Sequence, residues 1–331
     1  MNRVVRFHQT GGPEVLSLEE VPVPVPGPGE VLIRTRALGL NRAESMYRTG
    51  QHAAQPRFPS GTGLEAAGEV EAVGIGVTGL AVGEKVSVVP SFLLNEYGVH
   101  GEHVLAPVHA VVTHPANLSD EQAASVWMMF ITAYGGLIDL ARLGKGDTVL
   151  ISAASSSVGL AAIQIARTVG ARPIALTRTS AKRRQLLDAG ADEVIATSEE
   201  DTVARVRELT DGIGAQVVFD PVGGPPLADL ITAAAHQATI VLYGRLHSEP
   251  TPLDAGEVLF KQLSIRGYDM ANITTDDTRR GQTVDFIREG LTNGTLTPAI
   301  DKTFPIDEIV DAYTYLESGS QVGKIIVTVP R

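Results

Sequence analysis

Between residues 147 and 243 the chain alternates strand and helix with a regularity that few architectures can use. Asp147 to Ser152 reads as a strand and Val158 to Val169 as a helix. Ala171–Thr177, Glu193–Ala196, Gln216–Asp220 and Thr239–Tyr243 read as further strands. Helices are expected over Ala181–Ala189, Val203–Leu209 and Leu227–Ala235. Such a rhythm predicts a parallel, doubly wound sheet with right-handed crossovers. The flanks differ. Residues 1 to about 120 read as short strands punctuated by Gly74, Gly76, Gly79 and Gly83, which suggests a partly closed β-barrel. Pro22, Pro24, Pro26 and Pro28 form a stiff lead-in to the strand Val31–Leu38 and cannot join a central ladder. Ser119, with Gln122 at the capping-box position, predicts the start of a long apolar helix through Trp127, Phe130 and Leu137. The last strand, Gly323–Val329, needs a sheet to join, and the N-terminal β-rich part is the expected host. The expected layout is therefore 1–122, an inserted 123–270, and a return over 271–331.

Composition removes several chemistries. The sequence has no cysteine, so disulfides, thiolate nucleophiles, Cys-ligated zinc and iron–sulfur clusters are excluded. A net charge of −11 opposes binding to a phosphate backbone, and no nucleic-acid partner is expected. No run approaches about twenty apolar residues, and Met1–Arg6 passes directly into strand-like sequence, so no membrane span and a cytoplasmic location are expected.

The clearest site signal is the passage from the strand Thr148–Ser152 through Ala153-Ala154-Ser155-Ser156-Ser157 into a helix beginning Val158-Gly159. A pyrophosphate demands a close backbone approach and the free N–H groups of a helix N-terminus, and small residues allow both. Only Gly159 matches the usual glycine pattern, and an ordinary capped helix after a strand is the alternative. The second strand then bears on the cofactor. An NAD site wants a carboxylate there for the ribose 2′-hydroxyl. This chain has Thr177, Arg178, Thr179, Ser180 and Lys182 instead, a guanidinium fork and donors suited to a 2′-phosphate. Arg183 and Arg184 read as the wet face of a helix. The expected cofactor is NADPH.

Across essentially its whole length the chain resembles the medium-chain dehydrogenase/reductase superfamily, in particular its zinc-free quinone oxidoreductase branch. The stretches that carry the resemblance are Asn41-Arg42-Ala43-Glu44 followed by Tyr47–Gly50, Gly61–Val70, Thr132–Gly136, Gly190–Ile195, Asp220–Gly224 and Gly323–Val327. The resemblance implies a GroES-like β-barrel domain completed by C-terminal strands, an inserted Rossmann domain, and a homodimer or homotetramer. The zinc alcohol dehydrogenases of the superfamily have Cys where Asn41 stands and His where Leu64 stands. Glu65 alone cannot hold zinc; of the remaining histidines His100, His103 and His109, the last two read as surface or loop residues. No metal is expected.

Without a Lewis acid, a quinone or α,β-unsaturated carbonyl is a better hydride acceptor than a simple ketone, because conjugation spreads the arriving charge onto oxygen. The resemblance implies that Asn41 and Thr132 line the nicotinamide and its ribose. Turn chemistry for Asn41 and a hydroxyl bonded to its own helix for Thr132 are the alternatives. Tyr47 is a candidate proton donor or a buried structural tyrosine, and the common tyrosine position of relatives corresponds to Met46. Val222, Gly244 and Arg245 are expected near the cofactor, Asp220 as a turn cap, Tyr97 and Trp127 as pocket aromatics, and Lys324 as a surface lysine, with a reach into the cleft as the alternative. The loop Ser91 to Gly101 is expected to cover substrate or form a subunit contact. Two rival readings remain: a zinc-free alcohol or aldehyde oxidoreductase, and an NADPH-binding protein without turnover.

Overall fold

A computed structural model describes residues 1–330. The chain opens with β1 (Asn2–Phe7), β2 (Ser17–Val21), β3 (Glu30–Gly39), the short helix α1 (Arg42–Arg48), β4 (Ser60–Gly61) and β5 (Glu65–Val73). It continues through β6 (Lys85–Val88), β7 (His103–Pro107), β8 (Val111–Thr113), α2 (Asp120–Ala123) and α3 (Trp127–Tyr134). The alternating region follows: β9 (Thr148–Ile151), α4 (Ser157–Thr168), β10 (Arg172–Thr177), α5 (Arg183–Asp188), β11 (Glu193–Ala196) and α6 (Thr202–Leu209). Then come β12 (Ala215–Asp220), α7 (Pro226–Ala233), β13 (Ala234–Leu242), α8 (Ala255–Lys261) and β14 (Ser264–Gly267). The chain ends with α9 (Ala271–Thr274), α10 (Asp277–Asn293), β15 (Ile300–Pro305), α11 (Ile309–Ser318) and β16 (Lys324–Thr328). Two compact units result: residues 1–128 with the segment from Pro298 onward, and residues 129–297.

In the first unit β3 organises the sheet. One edge pairs with β5 along its length, while the other is shared by β7 beside Glu30–Arg34 and β16 beside Ala37–Gly39. A strand flanked on both edges must be apolar, and Val31, Leu32, Ile33, Ala37 and Leu38 are buried. Val31, Ile33 and Leu38 pack with Phe7, Val70, Val86, Val104, Ile325 and Val327 in one core, each large side chain contributing about 1.5–3 kcal/mol by burial. The C-terminal strand thus finds the host its sequence called for, antiparallel on β3. β15, parallel to β16, was not anticipated.

The second unit carries a six-stranded sheet in the order β11-β10-β9-β12-β13-β14, every pairing parallel. The GroES-like and Rossmann-type architectures are both present. Two boundaries differ from expectation. The first unit extends to Met128, because Ala123 and Ala124 pack on Ala37, Ala67 and Ile326. The second unit keeps residues 271–297: the Phe286 ring packs tilted against Tyr134 with centroids 4.8 Å apart, Arg279 pairs with Asp139, and the Gln164 amide holds the Thr297 backbone at 2.7 and 3.0 Å. The expected long apolar helix is broken at residues 124–126 and changes to a π-helix over Gly135–Leu140. By length and composition the stretch Asp120–Leu140 passes as a membrane span, contrary to the sequence expectation, but 72% of it is buried within the fold.

Candidate active site

In a parallel sheet every strand delivers its carboxyl end to the same edge, and a ligand crevice opens where strand order reverses. Here that reversal lies at β9, with β10 on one side and β12 on the other. The segments that follow these strands contain Ser155, Ser156, Ser157 and Val158 after β9, and Thr177–Ser180 at the end of β10. Val222 follows β12, and Gly244 and Arg245 follow β13. The topology therefore gathers all these predicted positions along one edge. The loops after β12 and β13 are stitched together, Leu246 N–H donating to Pro221 O at 3.0 Å and His247 N–H to Val222 O at 2.9 Å.

The turn after β9 is built for close approach. Ser156 caps α4, its Oγ accepting the Gly159 N–H at 3.1 Å. A Cβ on Gly159 would lie 2.5 Å from Ala154 O, so only glycine lets the helix sit on the turn. The remaining first-turn amides belong to Ser157 and Val158, where the helix dipole favours an anion. Asp220 accepts from the Ser152 hydroxyl and, at 2.6 Å, from Gly223 N–H, which makes it the turn cap its sequence suggested. Ala153 adopts φ +46°, in the left-handed region. That conformation costs a Cβ-bearing residue about 1–2 kcal/mol, partly offset by the chain entropy glycine loses. Ala153→Gly should therefore raise unfolding stability by up to about 1 kcal/mol, read as a higher denaturant midpoint; a lower midpoint would exclude strain at this turn.

On the adenosine side, Lys182 reaches back from beyond β10 and donates to Ser155 Oγ at 3.2 Å. Arg178, Thr179 and Ser180 are exposed there. Arg183 is not a simple wet-face residue, since it donates to Val194 O at 2.6 Å and pairs with Glu200. One residue escaped sequence reasoning. Glu199, after β11, accepts the Ser180 N–H at 3.1 Å, placing a carboxylate beside the candidate phosphate site. Its distance along the chain hid it; the β10–β11 pairing would have revealed it.

The first unit holds a buried polar cluster. Asn41, Glu44, Glu65, His100, Tyr313 and Lys324 are all at most 6% exposed. Glu44 accepts from Asn41 N–H at 2.8 Å, Leu64 N–H at 2.9 Å and Tyr313 O–H at 2.8 Å. Glu65 accepts from Met128 N–H at 2.8 Å and pairs with Lys324. The Lys324 ammonium also donates to Asn41 Oδ1 at 2.6 Å, while Asn41 Nδ2 donates to Glu65 at 3.1 Å, Glu44 at 3.2 Å and Gly39 O at 3.1 Å. His100 lies 3.9 Å from Glu44, and burial pushes its pKa down, favouring the neutral ring. Gly63, at φ +108°, makes room for that imidazole, which a Cβ would meet at 2.2 Å.

Several expectations change accordingly. Lys324 is core, not surface, and so is His100. Tyr47 is 0% exposed, its hydroxyl bonded to Ser60 Oγ at 2.8 Å, and burial raises its pKa, which makes it a poorer acid. It touches Phe7 edge-on and belongs to the barrel core. As a proton donor to substrate it is ruled out in this conformation. Thr132 is buried in α3, in the second unit. Tyr97 is tethered to Glu30 at 2.9 Å, and Trp127 is buried, so neither stands free as a pocket aromatic.

A divalent cation does not fit this cluster. Leu64 offers no donor atom, and Glu65 already faces an ammonium that would repel the ion. Among the described residues no group of three His, Asp or Glu has metal-holding geometry.

Comparison with known proteins places the chain. Residues 27–116 match the alcohol dehydrogenase GroES-like domain and residues 157–288 the zinc-binding dehydrogenase family. A quinone oxidoreductase of Pseudomonas aeruginosa is 32% identical over 329 residues, covering 99% of each chain. Among solved structures, an NAD-dependent alcohol dehydrogenase aligns with TM-score 0.92 at 32% identity, over 99% of this chain and 100% of that one. The Escherichia coli quinone oxidoreductase complexed with NADPH aligns with TM-score 0.90 at 28% identity, over 99% and 100%. With this coverage and the fold described above, the chain belongs to the medium-chain dehydrogenase/reductase superfamily, in its quinone oxidoreductase-like branch.

Proposed function

We propose that this protein is an NADPH-dependent, metal-independent reductase of quinones or α,β-unsaturated carbonyl compounds. The observation that carries the reading is the small-residue turn before α4 with Lys182 and Arg178 beside it. These residues suit a dinucleotide with an added 2′-phosphate. The E. coli relative complexed with NADPH supports the same choice.

When bound, NADPH supplies a hydride for the conjugated carbon of the acceptor. Ser157 and Val158 N–H groups and the α4 dipole would hold the diphosphate, and the Lys182 ammonium and Arg178 guanidinium would hold the 2′-phosphate. By the family resemblance, Asn41 would hold the nicotinamide end. The developing enolate or hydroquinone oxygen takes its proton from water, since Tyr47 is committed to Ser60. Resonance in the acceptor replaces the polarisation that a metal would provide.

Steady-state assays of NADPH oxidation with a quinone, an enone, a simple aldehyde and an alcohol test this. Turnover of the first two, unchanged by a chelator, is expected. Activity confined to the alcohol or aldehyde would establish the rival reading, as would inactivation by the chelator reversed by Zn²⁺. Tight NADPH binding in calorimetry with no turnover of any acceptor would identify a binding protein instead.

A second copy of the chain is part of the proposal. α8 leaves Leu259 and Phe260 exposed at 69% and 81%, and β14, at the sheet's end, has one unpaired edge. Sedimentation should show a dimer or tetramer at micromolar concentration; a monomer there would remove this element.

A further inference from the structure

The buried Lys324 does more than neutralise a carboxylate. A side-chain amide is nearly symmetric in shape, so its orientation is set by which neighbours donate and which accept. Around Asn41 the neighbours divide cleanly. Gly39 O, Glu44 and Glu65 are acceptors and take the amide hydrogens, while on the other side the Lys324 ammonium donates to Oδ1 and the side chain also caps the Glu44 N–H at the start of α1. Without the ammonium, Oδ1 loses its charged donor and keeps the Glu44 N–H of the capping box, so the amide is held in its present direction more weakly. The ammonium is itself pinned, Glu65 holding a second of its three donors and Met128 N–H holding Glu65. Gly39 keeps the space: a Cβ there would meet Lys324 Cε at 3.0 Å and Ala124 O at 2.0 Å. The arrangement joins the N-cap of α1, the start of β5 and the start of β16 through one cation.

We propose that Lys324 is a positioning residue: its ammonium fixes the direction of the Asn41 amide and thereby the group presented to the reacting nicotinamide. The effect on turnover rests on the function proposed above; the effect on Asn41 does not. It predicts that Lys324 acts on the hydride step and leaves the phosphate-binding residues of the second unit unaffected.

The test uses the charge-balanced double variant Lys324→Met/Glu65→Gln, which removes the cation without leaving a buried carboxylate alone, compared with Lys324→Met and the intact protein. In the double variant kcat should fall about 10–100-fold, the cost of a misplaced reacting group, while NADPH affinity measured by calorimetry changes little. The primary isotope effect with 4-deuterated NADPH should rise, because hydride transfer becomes slower relative to other steps. Loss of folded enzyme would lower kcat without moving that ratio. A crystal structure of the double variant should show the Asn41 side chain rotated. A folded double variant with Asn41 unmoved overturns the inference whatever its activity. So does a rotated Asn41 with an unchanged kcat and isotope effect. If the intact protein fails to oxidise NADPH with any of the acceptors, yet Asn41 rotates in the variant, the positioning stands and the proposed reaction falls.

Discussion

Lys324→Met should lower unfolding stability by about 3–5 kcal/mol, a typical cost of removing one partner from a buried ion pair. Methionine has much the shape of the lysine stem, so packing changes little and the loss is electrostatic. Lys324 and Glu65 are both fully buried, and solvent cannot replace the missing ammonium. Asn41 Oδ1 loses its charged donor in the same step and retains the Glu44 N–H of the capping box. Adding Glu65→Gln should restore most of the loss, since a neutral amide can still accept from Met128 N–H. The chain offers a direct reporter. Trp127 is its single tryptophan, is 1% exposed, and neighbours the residue whose N–H bonds Glu65. Urea unfolding followed by its emission should show the midpoint fall with unchanged slope. A loss below about 1 kcal/mol would place the pair among ion pairs that contribute little.

That cluster also marks where sequence reasoning stopped. The parallel sheet was legible because period-2 and period-3.6 patterns alternate locally, and β11 was placed at its observed residues, Glu193–Ala196. The phosphate turn was legible because its residues are contiguous. Lys324 was not. A lysine in a strand is normally amphipathic surface, and nothing near residue 324 announces Glu65 or Asn41, which the fold brings up from more than 250 positions away. Glu199 was missed for a similar reason, since it reaches Ser180 only through strand pairing. Tyr47 illustrates the opposite error. Its motif position drew attention to a hydroxyl, but α1 turns that side chain onto Phe7 and Ser60. Residues 271–297 were assigned to the wrong unit because α10 is polar on much of its surface, and its buried apolar side chains are few: Val284, Ile287 and Leu291.

Cofactor selectivity should turn on the adenosine-side cations. Lys182 is half-buried and already oriented by Ser155 Oγ, so its bond to a phosphate dianion falls in the range of charged hydrogen bonds, about 1.5–3 kcal/mol. At about 1.4 kcal/mol per decade, Lys182→Ala should raise the NADPH KM about 10–100-fold. Arg178 is exposed, where ion pairs give about 1 kcal/mol or less, so Arg178→Ala should cost up to about fivefold. NADH has no phosphate at that position, and its KM should move less than threefold in either variant, as for loss of a weak rim contact of about 0.6 kcal/mol. Glu199 supplies the opposing charge. Its carboxylate occupies the Ser180 N–H that a 2′-phosphate would use, so binding must displace it against like-charge repulsion. Glu199→Gln should therefore tighten NADPH and leave NADH nearly unchanged. The NAD-dependent relative with TM-score 0.92 makes the comparison sharp, because the fold itself serves either cofactor and only these side chains can decide. Equal losses with NADPH and NADH in the Lys182 and Arg178 variants would move the 2′-phosphate elsewhere, and a Glu199→Gln variant favouring NADH would make that carboxylate a ribose ligand's competitor rather than a phosphate's.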